Sequence, residues 1–324
     1  MHSRAKPLTT VVAIVACLVV APLGISAQEA GKVYRIGWLS ASAINTAFRQ
    51  TIRELGYVEG KNLVIEYRQA RRTRDFSRLA RELVTLKPDL LFTVGVSATR
   101  AAKEATSKIP IVMGNSSTDP VRQGLIDSLS NPGGNVTGVF DLLPDLAGKR
   151  VEILTEVFPK LARIAHISYD GPVGRAHLKR VQDTARERDI KVNAQIVKSA
   201  DDLESAFRDV AAQGNDAAIV VGVSFFIPNR PRIIDLAARY RLPVIYTHQD
   251  WVSNGGLIAY TTDSQARYSR AAWYVDQIFK GATPAKLPVE QPRKFLLEIN
   301  LRTARALGIT VPASILLRAD EVIE

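Results

Sequence analysis

The tripeptide Gly-Val-Ser occurs twice in this chain, each time at the end of an apolar run. Gly95 and Ser97 lie in the stretch TVGVSAT, and Gly222 and Ser224 lie in the stretch VVGVSFF, 127 positions further on (222 minus 95). Glycine permits a tight exit from a strand and a close approach of the backbone to a ligand. A serine two residues later can cap a helix or hydrogen-bond a bound molecule, and both roles stay open for Ser97 and Ser224.

Apolar periodicity divides the chain into two similar halves of alternating strands and helices. The predicted strands are 34–40, 62–68, 89–95 and 109–115 in the first half, and 163–169, 191–197, 216–222 and 242–248 in the second. This alternation predicts an α/β fold with two doubly wound parallel-sheet lobes. Each Gly-Val-Ser ends the third strand of its half. We therefore expect both copies at sheet edges that face a ligand cleft between the lobes.

A small acid bound in such a cleft needs hydrogen-bond donors for its carboxylate. We expect these donors from the Ser97 hydroxyl and from the backbone amides of Ala98 and Thr99, at the N-terminus of a helix. Ser116 or Ser117, after the next strand, would add a hydroxyl.

An ammonium group or an apolar side chain on the ligand would need other neighbours. Asp250, which follows the strand 242–248, is the candidate partner for an ammonium group, with helix capping as the alternative. His248 could bind a ligand or serve the structure alone. Four aromatic residues beyond strand ends could be core packing or walls for an aromatic or branched apolar ligand: Tyr169, Phe225, Phe226 and Trp251.

The composition argues against catalysis and against nucleic-acid binding. The 324 residues carry a formal net charge of +11, and the one dense basic cluster comprises Arg68, Arg71, Arg72, Arg74, Arg78 and Arg81. No aromatic ladder or zinc-finger spacing accompanies this cluster, so we interpret it as a solvated helix face. The chain lacks a dinucleotide-binding glycine motif, a P-loop and G-x-S-x-G, and its later histidines show no metal-ligand spacing. We expect no catalytic residues, no metal and no cofactor.

Residues 1–27 have the layout of a secretory signal peptide. MHSRAKP is basic, and LTTVVAIVACLVVAPLGISA follows without a charge from Leu8 to Ala27. Cleavage after Ala27 is the first prediction, and cleavage after Ala30 is the second. A lipid anchor at Cys17 and an uncleaved membrane anchor are the alternatives. The expected location of the mature protein is the periplasm.

Several long stretches resemble the tryptophan/tyrosine-uptake-like group of ABC-transporter substrate-binding proteins. They are, in chain order, RQTIRELGYVEGKNLVIEYR, IPIVMGNSSTDPVRQGLIDSLSNPGGNVTGV, AGKRVEILTEVFPKLARIAHI, IDLAARYRLPVIY and INLRTARALGITVPASILLRADEVIE. The resemblance covers essentially the whole chain after the signal. It implies a type I periplasmic-binding-protein fold, in which two α/β lobes joined by three crossings close on a small molecule. It also implies no catalysis, and delivery of the ligand to a permease powered by a separate ATPase.

The resemblance transfers three ligand-binding loops to this chain. They map to Ser40, Ala41 and Ser42, to Gly95, Ser97 and Ala98, and to Thr118, Asp119, Pro120 and Val121. Val96 and Ser97 stand where relatives often have Thr and Pro, and Thr118 replaces Gly, which leaves the identity of the ligand open. Arg71 and Arg72 occupy a stretch that tends to be acidic or Gly-containing in relatives. If that stretch reaches the cleft rim, it would favour an anionic ligand.

These arguments together predict the ligand-binding residues and the domain organisation. The predicted binding set is Ser40, Ser42, Gly95, Ser97, Ala98, Ser117, Asp119, Tyr169, Ser224, Phe225, His248 and Asp250. Lobe 1 is expected to comprise 31–140 and 252–285, and lobe 2 to comprise 145–250 and 290–324. The strand 257–262 and the helix 267–281 are assigned to lobe 1, and the crossings are placed near 140–146, 248–254 and 284–292.

The predicted function is that of an extracytoplasmic solute-binding protein of an ABC importer. The expected ligand is an amino acid or an aromatic or other anionic acid, and the expected state is a monomer without nucleic-acid partners. Two alternatives stay open. The chain could serve a membrane receptor as a ligand-sensing protein, or it could be an enzyme on the same scaffold.

Overall fold

The computed structural model describes residues 32–141, 143–222, 226–292 and 294–324. The predicted signal peptide, and Ser224 and Phe225 of the predicted binding set, lie outside the described residues. Within the described ranges, no helix is both long and apolar enough to span a bilayer.

The first lobe is built on a parallel five-stranded sheet with the order β2-β1-β3-β4-β5. Its strands are β1 (Tyr34–Ser40), β2 (Leu63–Gln69), β3 (Leu90–Val94), β4 (Ile111–Asn115) and β5 (Val136–Gly138). Helices α1 (Thr46–Glu54), α2 (Phe76–Thr85) and α3 (Val96–Ala105) connect them. The central strands β3 and β4 are buried on both faces, which explains why their sequences are continuous apolar runs.

The second lobe is built on a seven-stranded sheet with the order β12-β11-β10-β9-β8-β6-β7. Its strands are β6 (Arg163–Tyr169), β7 (Lys191–Val197), β8 (Ala217–Val220), β9 (Val244–Tyr246), β10 (Ile258–Thr262), β11 (Phe295–Asn300) and β12 (Glu321–Ile323). Only the β10–β11 pair is antiparallel. The helices of this lobe are α4 (Ala147–Val157), α5 (Pro172–Arg186), α6 (Asp202–Ala212), α7 (Arg230–Arg239), α9 (Leu301–Leu307) and α10 (Ala313–Leu316).

The predicted fold class, α/β with two parallel-dominated sheets and alternating helices, is confirmed. The assignment of the strand 257–262 to the first lobe is wrong. β10 pairs with β9 and β11 and is buried within the second sheet. The next helix, α8 (Ser264–Phe279), packs against α1 and β4 of the first lobe, as predicted.

Because β10 belongs to the second sheet, the second crossing between the lobes lies further along the chain than predicted. The chain passes from β10 to α8 at Asp263 and not near 248–254, because the residues after β9 stay with the second sheet. The first crossing runs from β5 to α4 through 141–146, within the predicted range. The third follows Glu290, which forms a bridge with Val139 beside β5, and leads into β11. The remaining lobe boundaries stay a prediction.

An aromatic cluster forms the centre of the first-lobe core. Trp38 of β1 stacks on Phe92 of β3 with ring centroids 4.1 Å apart, and Phe48 of α1 meets Trp38 edge-on at 4.8 Å. All three side chains are fully buried. Each buries enough apolar area to contribute roughly 2–3 kcal/mol to folding. This cluster fixes α1 on the sheet and thereby the position of the loop before it.

Gly95 occupies a backbone conformation that requires glycine. Its φ of 94° lies in the left-handed region, where the chain turns from β3 directly into α3. The Thr99 side chain stabilises this turn, because its Oγ1 donates a hydrogen bond to the Gly95 carbonyl at 3.1 Å. The first Gly-Val-Ser is therefore a strand-to-helix turn.

The second lobe encloses an arginine and two histidines away from water. Arg150 of α4, His166 of β6 and His177 of α5 have no exposed surface. Arg150 Nη1 lies 3.0 Å from His177 Nε2, and His177 Nδ1 lies 3.0 Å from His166 Nε2. A guanidinium can only donate, so His177 Nε2 must accept, and its Nδ1 carries the proton towards His166. Both imidazoles are therefore neutral.

We predict that the protein loses stability as the pH falls from about 6.5 to about 4. Burial lowers the pKa of His166 to about 4, whereas an unfolded chain protonates its histidines near 6.5. The unfolded state then binds more protons in this window, so the free energy of unfolding decreases by about 3 kcal/mol for a shift of this size. Urea unfolding at a series of pH values measures the decrease.

The matched variant is His166→Gln, which keeps an acceptor for the His177 N–H but does not titrate. It should lose clearly less stability than the wild type over the same pH window. Equal losses in the two proteins would contradict the prediction.

Candidate functional site

A polar pocket lies where the two sheets and the crossings meet. Its cavity volume in this arrangement of the lobes is about 30 Å³. The lining comes from the carboxyl ends of strands in both lobes, as expected for ligands in open parallel sheets. The lining residues are Asn115, Ser117, Asp141, Leu143, Gly222, Thr247, His248, Gln249, Thr261, Ser264 and Arg267.

A buried ion pair forms the base of this pocket. Arg267 Nη1 donates to Asp141 Oδ2 at 2.8 Å and to Thr262 Oγ1 at 2.6 Å. The Asp141 and Arg267 side chains are only 8% and 5% exposed. Burial raises the pKa of Asp141, and the charges of Arg267 and Arg150 oppose that rise. Asp141 lies on the first crossing, Thr262 ends β10 and Arg267 belongs to α8, so the pair connects both lobes through the hinge.

Four polar atoms of the pocket residues are buried and have no partner within the described part of the protein. They are Asn115 Oδ1, Asp141 Oδ1, His248 Nδ1 and Arg267 Nε. Buried polar atoms in folded proteins are almost always hydrogen-bonded. Two acceptor oxygens and one guanidinium N–H in one pocket are therefore groups that a polar ligand can satisfy.

His248 is neutral at physiological pH. Burial lowers its pKa to about 4, with the nearby charges of Arg267 and Arg230 acting in the same direction and Asp250 opposing them. A neutral imidazole offers one donor and one acceptor. His248 therefore contributes hydrogen bonding to the pocket, and no charge.

Gln249 is held in place by its neighbours. Its Oε1 accepts from the Ser264 hydroxyl at 2.9 Å, across the second crossing. Behind it lies Glu298 of β11, which is only 3% exposed. Burial raises the pKa of Glu298 to about 8, and the carboxylates of Glu321, Asp250 and Asp320 add to that rise. Glu298 is thus largely protonated at neutral pH.

Gly222, the glycine of the second Gly-Val-Ser, forms part of the pocket wall. A Cβ at this position would lie 3.3 Å from His248 Cβ and 3.4 Å from Thr247 Oγ1. Its N–H donates to Thr247 Oγ1 at 2.7 Å. The glycine here leaves space between two loops of the pocket, whereas Gly95 supplies a turn. The two copies of the tripeptide therefore need glycine for different reasons, the first for its backbone conformation and the second for its lack of a side chain.

Two members of the predicted binding set, Ser117 and His248, line the pocket. Asp250 does not line it. Its side chain is 59% exposed and lies 3.6 Å from Arg230. The physical reason is a short 3₁₀ helix, Gln249–Trp251, which directs Gln249 to the pocket and Asp250 to solvent.

Apart from Ser117, the predicted first-lobe residues lie outside the pocket. Ser40 is fully buried, and its Oγ accepts the Ser42 N–H at 3.0 Å. Ser97 is exposed on the first turn of α3, which Gly95 precedes, while Ala98 belongs to the core.

The side chains of the other two predicted residues, Asp119 and Tyr169, interact with neighbouring parts of their own lobes. Asp119 Oδ1 accepts the N–H of Val121 at 2.9 Å and so closes a turn. Tyr169 packs against the second-lobe core. For these residues a direct role in ligand binding stays a prediction.

Sequence reasoning missed the charged pair at the base of the pocket. Asp141 lies in FDLLPDL, which is recognisable as a crossing, but nothing local shows that its carboxylate is buried. Arg267 lies in the first turn of α8, where an arginine normally indicates an exposed position. A usable signal is that both residues lie at points where the chain changes lobes.

A polar pocket at the junction of two α/β lobes is a place where a small solute can bind. The chain belongs to the ABC transporter substrate binding protein family, whose model matches residues 39–323. This confirms the resemblance found in the sequence. The family is one of solute-binding proteins.

Individual relatives agree with this assignment. A tyrosine-binding protein of Clostridioides difficile is 26% identical over 264 residues, which is 81% of this chain and 75% of the relative. A conserved domain protein from Vibrio cholerae is 27% identical with a TM-score of 0.82, covering 90% of this chain and 100% of that structure. An ABC domain from Streptococcus pneumoniae in complex with L-Trp is 24% identical with a TM-score of 0.81, covering 90% and 99%. The type I periplasmic-binding-protein fold is thus confirmed.

We predict that Asp141→Asn strongly destabilises the protein. The substitution leaves the buried Arg267 guanidinium without its negative partner, and breaking a buried ion pair in this way costs about 3–5 kcal/mol. Urea unfolding at neutral pH measures the change in the free energy of unfolding.

The matched control is Asp170→Asn, which breaks an ion pair with Arg175 of equal length, 2.8 Å, on the surface. The Asp170 side chain is 53% exposed, so this variant should stay close to the wild type. Similar losses in both variants would contradict a special role for the buried pair.

Proposed function

We propose that this protein is the extracytoplasmic solute-binding component of an ABC importer. It binds a small molecule, which is an amino acid or an aromatic or other anionic acid, in the pocket between its lobes, and passes it to a permease driven by a separate ATPase. The observation that carries the proposal is the set of buried polar atoms without partners at the junction of the lobes. The proposed location is the periplasm, and the proposed state is a monomer.

The chemistry of the pocket fits the polar end of such a ligand. Arg267 Nε is a free donor for a carboxylate oxygen, and charge-assisted hydrogen bonds of this type are among the stronger ones. Asp141 Oδ1 and Asn115 Oδ1 are free acceptors for an ammonium or hydroxyl group. The names of the relatives, a tyrosine-binding protein and a domain in complex with L-Trp, support a ligand of this class.

The position of the pocket supports binding by hinge closure. Asn115 and Ser117 belong to the first lobe, and Thr247 and His248 to the second, so one ligand would contact both. A ligand that contacts both lobes favours the arrangement in which they are close. Predicted binding residues that do not line the pocket, such as Ser97 and Tyr169, are proposed to contact the part of the ligand that extends beyond it.

A thermal-shift panel on the protein beginning at Gln28 tests the proposal. The panel contains the amino acids, aromatic acids and small dicarboxylates. A ligand that binds only the folded state adds about 2.7 kcal/mol of stability at about 100 times its Kd. We expect a clear upward shift of Tm with one chemical class.

Two variants locate the site. Asn115→Ala removes a pocket acceptor that has no partner among the described residues, so it should abolish the shift and leave the Tm of the free protein nearly unchanged. Asp250→Asn removes an exposed carboxylate outside the pocket and should retain the shift. Loss of binding in Asp250→Asn alone would place the ligand elsewhere in the cleft. The absence of any shift across the panel would refute the small-acid ligand.

A further inference from the structure

Arg150 carries a buried positive charge that is not paired with a carboxylate of its own among the described residues. It has no exposed surface and forms no ion pair with any described carboxylate. Its Nε donates to the Tyr260 carbonyl at 2.9 Å, its Nη1 donates to the Leu143 carbonyl at 3.2 Å and meets His177 Nε2, and its Nη2 has no partner within the described ranges. Burial lowers the pKa of Arg150 to about 9, so it stays protonated at neutral pH.

This charge lies directly behind the wall of the pocket. Leu143, whose carbonyl accepts from Arg150, lines the pocket, and so does Thr261, the neighbour of Tyr260. The carboxylate whose charge acts on Arg150 is that of Asp141, which already pairs with Arg267. Two guanidinium groups therefore share one carboxylate at the base of the pocket.

The other titratable groups around the pocket leave this excess in place. His177 and His166 are neutral because of the direction of their hydrogen bonds, and His248 is neutral because it is buried. Glu298 is largely protonated. Asp250 is exposed and offset by Arg230. The buried surroundings of the pocket thus hold at least one positive charge more than negative charges, and protonation of Asp141 would only increase the excess.

We propose that Arg150 is a specificity-determining residue, whose charge makes the pocket select carboxylic acids with one net negative charge over zwitterions. This inference rests on the proposed function and names the ligand class within it. Such a ligand is an acidic amino acid, or an acid without an ammonium group. Its carboxylate meets Arg267, its net charge balances Arg150, and any hydroxyl or ammonium group it carries donates to Asp141.

The expected size of the effect is measurable. Two unit charges about 10 Å apart at an effective dielectric constant of about 20 change an affinity by on the order of tenfold. Because the charge is buried, added salt screens it weakly. The preference should therefore persist at high salt, unlike an attraction caused by the net charge of +11 of the whole chain.

Isothermal titration with matched ligand pairs tests the proposal. The first set is 3-phenylpropionate, L-phenylalanine and phenethylamine, which share a skeleton and carry one negative, zero and one positive net charge. The second pair is L-glutamate and L-glutamine. We expect the anion to bind about tenfold more tightly than the zwitterion in whichever set fits the pocket, and the amine not to bind. A zwitterion that binds as tightly as its anion would overturn the proposal.

Two variants neutralise the excess charge by different routes. Arg150→Met removes it, and His177→Glu places a carboxylate where His177 Nε2 now lies 3.0 Å from the guanidinium. Both should abolish the preference for the anion. Arg150→Lys and His177→Gln are the matched controls that keep the charge balance and should keep the preference. Arg180→Met, which removes an exposed arginine from α5, should also keep it.

The outcomes separate this inference from the proposed function. If no compound of either set binds, the proposed small-acid ligand fails. If binding occurs but the ratio of anion to zwitterion affinity is unchanged in folded His177→Glu, Arg150 does not set specificity. A general loss of stability does not change the ratio of anion to zwitterion affinity in the protein that remains folded. If Arg150→Met does not fold, His177→Glu still tests the proposal with Arg150 in place.

Discussion

The ion pair between Asp141 and Arg267 connects parts of the chain that the fold otherwise keeps apart. Asp141 follows the last strand of the first sheet, Arg267 begins the helix that returns to the first lobe, and Thr262 ends a strand of the second sheet. A buried carboxylate or guanidinium is unfavourable without its partner. The crossings are therefore held together by the same two charges that face the pocket, and a ligand that contacts those charges also contacts the hinge.

The charge states of the buried groups at the lobe junction depend on the direction of their hydrogen bonds as well as on ion pairing. Arg150 donates to an imidazole, which in turn donates to a second imidazole, so two histidines accommodate a cation while staying neutral. The backbone carbonyls of Tyr260 and Leu143 accept further hydrogen bonds from Arg150 Nε and Nη1. The arrangement separates a positive side of the pocket, near the crossings, from the neutral His248 and Gln249 on the opposite loop.

The alternation of strands and helices could be predicted from the sequence because it is a local property. β1 and β6 have the predicted limits of 34–40 and 163–169, since each is an apolar run bounded by polar residues. The lobe to which β10 belongs could not be predicted in this way. LIAYTT is compatible with either sheet, and its pairing with β9 and β11 is a long-range choice.

The candidate site was less accessible to sequence reasoning for a similar reason. Ser117 and His248 follow strands and are on the pocket, as a rule about strand ends suggests. Asp250 obeys the same rule, but a single turn of 3₁₀ helix directs it to solvent. Asp141 and Arg267, which are 126 positions apart in the chain, become partners only when the first crossing lies beside the start of α8.

The second crossing consists of one residue, Asp263, and this has a mechanical consequence. Its carboxylate accepts the Ala266 N–H at 2.9 Å and pairs with Lys294 at 3.1 Å, and its N–H donates to the Lys294 carbonyl. A joint this short leaves little room for the lobes to slide past each other at this point, so under the proposed hinge closure the lobes would rotate about an axis near Asp263. The arc travelled grows with distance from that axis. β2 forms the edge of the first sheet opposite β5, so in such a rotation the arginines that follow it, Arg71 and Arg72, would move further than the pocket residues beside the crossing.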